Sequence, residues 1–227
     1  MIPRVLHFIW VGDESKRPDN CIETWRARNP EWQIRIWGNA ELFGRKWRNA
    51  RHMSLMAERE LNGVADLMRY EILHEEGGFA VDADSVCIRS LEDWLFEPAA
   101  FACWENELER PGLLATCHLA AERGHELMEK VIADIQADES VVDRLAWRST
   151  GPERLTDVWR RTRYGDLTIY PSHFFIPEHH CGAKYGGHGH VFATHLWAGT
   201  RGLYGTLHQH SIRVAEAPVQ PVAHPGN

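Results

Sequence analysis

The apolar positions of this chain fall into short blocks of two periods, and their order predicts the architecture. Val5-Leu6-His7-Phe8-Ile9-Trp10 is a near-continuous apolar run between Pro3 and Gly12, the pattern of a buried first strand. Pro18-Asp19-Asn20 opens a helix carrying Ile22 and Trp25, which Asn29-Pro30 stops. From Gln33 to Trp37, Ile34 and Ile36 alternate with polar partners, predicting a second strand that ends at Gly38-Asn39. Helical spacing follows at 40–48 and 52–61, and a stronger helix runs from Gly63 to His74 and stops at Gly77-Gly78, a pair suited to a left-handed cap. Strands are expected at Phe79–Asp82, Val86–Ile88, Ala100–Trp104, Leu113–Cys117, Leu167–Tyr170 and Val191–Thr194, with helices at 122–137 and 153–163. Strands alternating with helices predict an α/β fold, a mostly parallel central sheet flanked by helices.

Length and composition narrow the picture. At 227 residues the chain is read as one domain over 1–215, followed by a proline-containing flexible tail, 216–227. A formal charge of −7 argues against general binding to nucleic acid or to an anionic membrane, although a metal or a local basic group could still hold a phosphorylated ligand. The five cysteines are widely spaced, odd in number and without a CxxC pair, so neither a disulfide framework nor a structural zinc site is expected. With no signal peptide and no apolar run long enough to span a bilayer, the expected location is cytoplasmic, either free or peripheral at the inner face of the membrane. Most of the ten tryptophans are expected in the core.

The sharpest chemical signal is Phe79-Ala80-Val81-Asp82-Ala83-Asp84. A buried strand ending in Asp-Ala-Asp sets two carboxylates at the carboxyl edge of the sheet, where open α/β sheets bind ligands. Alternate positions on extended chain share a side, so Asp82 and Asp84 can converge, and a divalent cation removes their mutual repulsion. Asp-x-Asp also occurs in ordinary solvated turns. Asp66 and Arg69, at i and i+3 on the preceding helix, share a face. They read either as a surface ion pair or as a fixed cation and its partner aimed along the same sheet edge.

Ala65-Asp66-Leu67-Met68-Arg69-Tyr70 followed by Gly77-Gly78-Phe79-Ala80-Val81-Asp82-Ala83-Asp84 resembles the sugar-binding region of DXD-type glycosyltransferases, closest to glycosyltransferase family 32. Ile2–Gly12, Cys21–Trp32, Thr150-Gly151-Pro152 and Ala193-Thr194-His195-Leu196-Trp197-Ala198-Gly199 are similar to further blocks of that family, in the same order. The resemblance implies a GT-A fold and a retaining transfer of a hexose from a nucleoside diphosphate sugar, a UDP- or GDP-sugar, with Mn2+ or Mg2+. The acceptor would be a hydroxyl of a glycan, a lipid-linked sugar or another molecule. On this resemblance Phe8, Ile9 and Trp10 meet the nucleoside, Asp66 and Arg69 hold the donor sugar, and Asp82 meets ribose or sugar and the metal. Asp84 ligates the metal, His195 helps to bind metal or diphosphate, and Trp197 lies beside it.

Two positions depart from the family pattern: Thr116 stands where an asparagine near the donor sugar is common, and Arg201 where an aromatic is common. Arg201 is read as solvated, and Glu105 as an exposed loop glutamate that could lie near the acceptor. The histidines between 173 and 195 lack the regular spacing of a zinc site, and Gly182, Gly186, Gly187 and Gly189 among them suggest a lid over the donor. A non-catalytic nucleotide-sugar or glycan-binding module of the same fold is the alternative reading.

Overall fold

A computed structural model of the chain describes residues 1–162 and 165–212, so the expected tail, 216–227, and the end of the expected helix at 163 lie outside the described residues. The first half contains β1 (Val5–Ile9), α1 (Asp19–Arg28), β2 (Gln33–Trp37), α2 (Asn39–Gly44), α3 (Ala50–Ala57), α4 (Leu61–Glu76), β3 (Gly78–Val81) and β4 (Ser85–Cys87). The second contains β5 (Ala100–Asn106), β6 (Arg110–Leu114), β7 (His118–Ala121), α5 (Glu126–Gln136), α6 (Ala146–Ser149), α7 (Pro152–Thr162), β8 (Leu167–Tyr170) and β9 (Ala193–His195). Among the described residues no helix is long and apolar enough to cross a membrane.

The sheet runs β2-β1-β3-β7-β5-β6, with β8 paired to β5. β1 is parallel to both β2 and β3, and β8 to β5, while β7 is antiparallel to β3 and β5, and β6 to β5. Five of the seven strands therefore point the same way, the mostly parallel sheet of the expected α/β class. β4 and β9 form a separate antiparallel ribbon.

The two faces of the sheet carry different cores. Leu6, Phe8, Phe79, Val81 and Phe101 pack with Ile22 and Trp25 of α1 and with Phe175 and Phe192. Ile9, Ala80, Ala100, Ala102 and Leu119 pack on the other face against α3, α4, α5 and α7. From β1 the chain thus leaves over one face through α1 to reach β2, and returns over the other through α4 to reach β3. The carboxyl end of β1 is a topological switch point, where the diverging connections leave a crevice.

One strand differs from expectation. Leu113–Cys117 is not a single strand: β6 ends at Leu114, β7 starts at His118, and Ala115 to Cys117 step between them across the mouth of the crevice. Their backbone remains tied down, Ala115 N–H to Cys103 O at 2.9 Å and Asp82 N–H to Cys117 O at 2.9 Å. The apolar run continues through this turn because the turn itself is buried.

The α4–β3 junction is tight. Gly78 has φ +110°, and a Cβ there would stand 2.7 Å from His7 Nε2 and 2.8 Å from Val5 O, so only glycine lets β3 start against β1. His7 itself is buried, with Nε2 donating to Gly77 O at 2.8 Å and Nδ1 accepting from Trp37 Nε1 at 3.1 Å. Both ring nitrogens are satisfied only in the neutral form, and burial lowers the pKa from 6.5 to about 4. Between these values the unfolded chain takes up a proton that the native state refuses, so the stability due to neutral His7 is full above pH 6.5 and falls as pH drops. His118, also buried, is shifted in the same direction by desolvation. We predict that urea unfolding at pH 5 shows about 2 kcal/mol less stability than at pH 7 from His7 alone, and that His7→Gln, weaker at pH 7, loses less over this interval. Equal pH sensitivity in the two proteins would remove His7 as the cause.

Candidate active site

The crevice at the ends of β1 and β3 is a cavity of about 600 Å³ whose lining includes Ile9, Trp10, Asp66, Arg69, Asp82, Asp84, His195 and Trp197. Eight of the nine residues singled out from the sequence therefore meet in one place. The ninth, Phe8, points the other way: strand alternation turns its side chain into the core, edge-on to Trp25 at 6.3 Å, and it does not line the cavity.

Arg69 organises the inner wall. Only 4% of its side chain is exposed, and it bridges two carboxylates, Nη1 to Asp66 Oδ1 within α4 and Nη2 to Asp82 Oδ1 at the end of β3. The pair at i and i+3 is thus no surface ion pair. Burial on its own raises the Asp82 carboxyl, but Arg69 and then His195 hold it well below the usual carboxylate range. Asp66 responds in the opposite sense, because burial outweighs Arg69 and pushes it up to about 6. Thr116, which departs from the family pattern, lines the cavity and works against the rise at Asp66.

Asp84 is withdrawn from solvent, with 3% of its side chain exposed. Its Oδ2 accepts from Ala198 N–H at 2.7 Å, and its carbonyl accepts from Leu196 N–H at 3.2 Å, which docks the segment after β9 onto the strand end. Oδ1 faces His195 Nε2 at 3.1 Å, and Asp82 Oδ2 lies 3.4 Å from the same nitrogen. Burial lowers the pKa of His195, but Asp84 and Asp82 override it and push the value up to about 10. Despite these short distances, neither contact lies along the direction of a ring N–H bond, and both ring nitrogens of His195 are buried without a hydrogen-bond partner. The three side chains converge on a shared point, as ligands of a cation do, with ligand atoms all within 4.8 Å of one another. An O,O,N donor set of this kind fits manganese or magnesium.

Trp197 closes one side of this cluster, edge-on to His195 at 4.6 Å. Its φ of +57° is unusual for a bulky residue, and the indole is secured by Nε1 donating to Glu178 O at 2.9 Å. Trp10, just after β1, lines the same cavity, with Nε1 donating to Asp13 O at 2.9 Å and Tyr204 edge-on at 5.4 Å. Gly151 of the Thr150-Gly151-Pro152 block abuts α4 so closely that a Cβ would meet Asp66 Oδ2 at 2.9 Å. Tyr70 fixes that approach through its hydroxyl, which donates to Thr150 O at 2.8 Å.

Among the lining residues without a site assignment in the sequence are Tyr204, Trp147 and Arg110, whose guanidinium lies 5.3 Å over the Trp147 ring. Arg110 opens β6, Trp147 lies in α6 and Tyr204 in a turn after β9; they share no motif, so no local signal marks them. Glu105 corrects an expectation. It is the sixth residue of β5, 8% exposed, and lines the cavity with Oε1 3.3 Å from buried His179 Nε2. Strand β5 extends past Trp104 to pair with β6, which carries Glu105 inward. Arg201 does not line the cavity and pairs with Glu178 at 3.3 Å.

Comparison with known proteins bears on the fold and on part of the chain. Residues 15–101 match the family described as glycosyltransferase sugar-binding region containing DXD motif, a span that includes Asp66, Arg69, Asp82 and Asp84 but not Trp10, His195 or Trp197. No curated protein matches the chain. Among solved structures, the PaToxG glycosyltransferase aligns with a TM-score of 0.59 at 15% identity, covering 71% of this chain and 70% of its own. The UDP-bound glycosyltransferase domain of the YGT toxin aligns at 0.54 with 10% identity, covering 74% and 79%. The ligand-free form of that domain aligns at 0.52 with 10% identity, covering 74% and 80%. At such identities the likeness is one of fold, and the fold is that of GT-A glycosyltransferases.

Proposed function

We propose that this chain, as a single domain over 1–215, is a metal-dependent retaining glycosyltransferase of the family 32 type. It moves a hexose from a UDP- or GDP-sugar to a hydroxyl of a glycan, lipid-linked or other acceptor. The observation that carries the reading is the convergence of Asp82, Asp84 and His195 on one point, beside the Asp66–Arg69 pair and within one cavity. The UDP bound by the YGT toxin domain, which shares the fold, supports a nucleotide in the crevice.

The residues divide the work. Asp84, Asp82 and His195 would hold the cation, and manganese or magnesium there would supply Lewis-acid stabilisation to the diphosphate leaving group. Arg69 fixes the orientation of both carboxylates, so that Asp66 Oδ2 can accept a hydrogen bond from a donor hydroxyl while Asp82 Oδ2 stays turned to the cation site. Trp10 offers an indole face to the nucleobase, with Ile9 as the apolar neighbour. Trp197 walls the cation site against water. Retention brings the acceptor to the face of the sugar that the phosphate leaves, where the departing diphosphate can take its proton. No carboxylate nucleophile is assigned.

Asp84→Asn preserves an acceptor for the Ala198 amide while removing the charge, so the variant should fold normally by circular dichroism. Its manganese-dependent hydrolysis of UDP- and GDP-sugars should fall by about 100-fold or more. Undiminished turnover would refute the metal assignment. Absence of turnover in the unaltered protein with every donor, together with tight nucleotide-sugar binding without metal, would favour the binding-module reading instead.

Trp10→Ala should weaken UDP or GDP binding by about 1–3 kcal/mol in calorimetry, the range for base–aromatic stacking. Unchanged affinity would take Trp10 out of the nucleotide site.

A further inference from the structure

A second cluster of ligating groups adjoins the same cavity, which one of its members, His180, lines. His179, His180 and Cys181 offer one ligand atom each, all within 4.8 Å of one another. The three are consecutive, which is why a search for separated Cys/His pairs passes over them; the tight turn that closes with Gly182 N–H on His179 O at 2.9 Å gathers them. Cys181 is the exposed cysteine, whereas the other four are buried, so its sulfur alone is open to an incoming ion.

The spacings suit a tetrahedral ion. Zinc bonds of about 2.3 Å to sulfur and about 2.05 Å to nitrogen at a tetrahedral angle put the two ligand atoms about 3.6 Å apart. Cys181 Sγ stands 3.5 Å from His180 Nδ1. His179 is held as zinc-binding histidines are held: its ring is fully buried, and Nε2 faces the Glu105 carboxylate at 3.3 Å. Nδ1 faces the cluster, where it accepts from the Cys181 amide N–H at 3.4 Å, a long hydrogen bond that an ion held there would replace. Glu105 thereby gains a function as the orienting carboxylate of this histidine.

The ligand chemistry separates this cluster from the one at Asp84. Two imidazoles and a thiolate form a soft donor set that selects zinc, whereas two carboxylates and one imidazole suit manganese or magnesium. The Trp197 indole stands between them, edge-on to His195 at 4.6 Å, to His180 at 4.9 Å and to His179 at 5.1 Å. We propose that His179, His180 and Cys181 form a second, zinc-class cation site beside the cavity, with three protein ligands and a fourth position open to water. A cation there would fix the His180 ring where it lines the cavity.

The test uses the full chain, stripped with a chelator and titrated with Co2+ while its absorption spectrum is followed. A thiolate-to-cobalt charge-transfer band should grow to saturation at one equivalent and vanish when Zn2+ is added in competition. Cys181→Ser, at an exposed position, should fold normally and lose the band. It should also lose more Zn2+ affinity than the roughly 10–100-fold that loss of an outer-shell partner costs. His180→Ala should weaken the band likewise, and Asp84→Asn should retain it. A titration of the unaltered protein without a thiolate band, a band that survives Cys181→Ser, or one that disappears with Asp84→Asn would each overturn the proposal. Because the readout is spectroscopic, it is independent of whether the chain transfers sugar.

Discussion

The buried guanidinium of Arg69 is the constraint on which the rest of the site depends. A cation withdrawn from water must be matched by carboxylates, or it destabilises the fold by several kcal/mol. Here the matching groups come from two elements, Asp66 on α4 and Asp82 at the end of β3. The pairing therefore couples helix to strand, and it holds only if α4 enters β3 without slack. Gly77 and Gly78 provide that entry, both at positive φ, with Gly78 pressed against the backbone of β1. An inserted residue or a Cβ at this junction would move Asp82 away from Arg69 and leave a buried charge unpaired.

Asp84 extends the same logic to the far end of the chain. With Asp82 engaged by Arg69, the next carboxylate is left to recruit its own partners, and it takes them from the segment after β9: His195, the Leu196 amide and the Ala198 amide. To bring both an imidazole and an amide three residues later onto one carboxylate, the backbone must turn sharply between them, and the turn falls on Trp197 in its left-handed conformation. Strain at a bulky residue persists only where surrounding contacts over-determine it. The bond to Glu178 O and the packing against His179, His180 and His195 supply those contacts.

What could be read from the chain was whatever one contiguous stretch encodes. The apolar run at β1, the helix ending in Gly-Gly and the Asp-Ala-Asp strand end are local patterns, and the structure places them side by side at the switch point. Less accessible were features decided by distant partners. Leu113–Cys117 reads as a strand because its residues are apolar, yet their burial comes from closing over the cavity. Glu105 looks like a loop residue until β6 pairs with the end of β5 and His179 arrives from 74 residues away. Phe8 was assigned to the nucleoside together with its neighbours, but strand alternation separates it from Ile9. His179-His180-Cys181 has no spacing pattern, so its significance rests on a turn that no periodicity announces.

Charge accounting at the sheet edge explains why an O,O,N cluster can be both buried and stable. Asp66, Asp82 and Asp84 bring three potential negative charges into a space that holds one permanent cation, Arg69. Two relaxations are visible. Burial raises the pKa of Asp66 to about 6, which reduces the charge it must carry, and Asp84 and Asp82 raise His195 to about 10, which favours its charged form beside them. A proton on His195 covers only half of the excess that Arg69 leaves, whereas a divalent cation among the same three ligands covers all of it and restores a neutral imidazole. The protonated histidine thus occupies the electrostatic role of the cation.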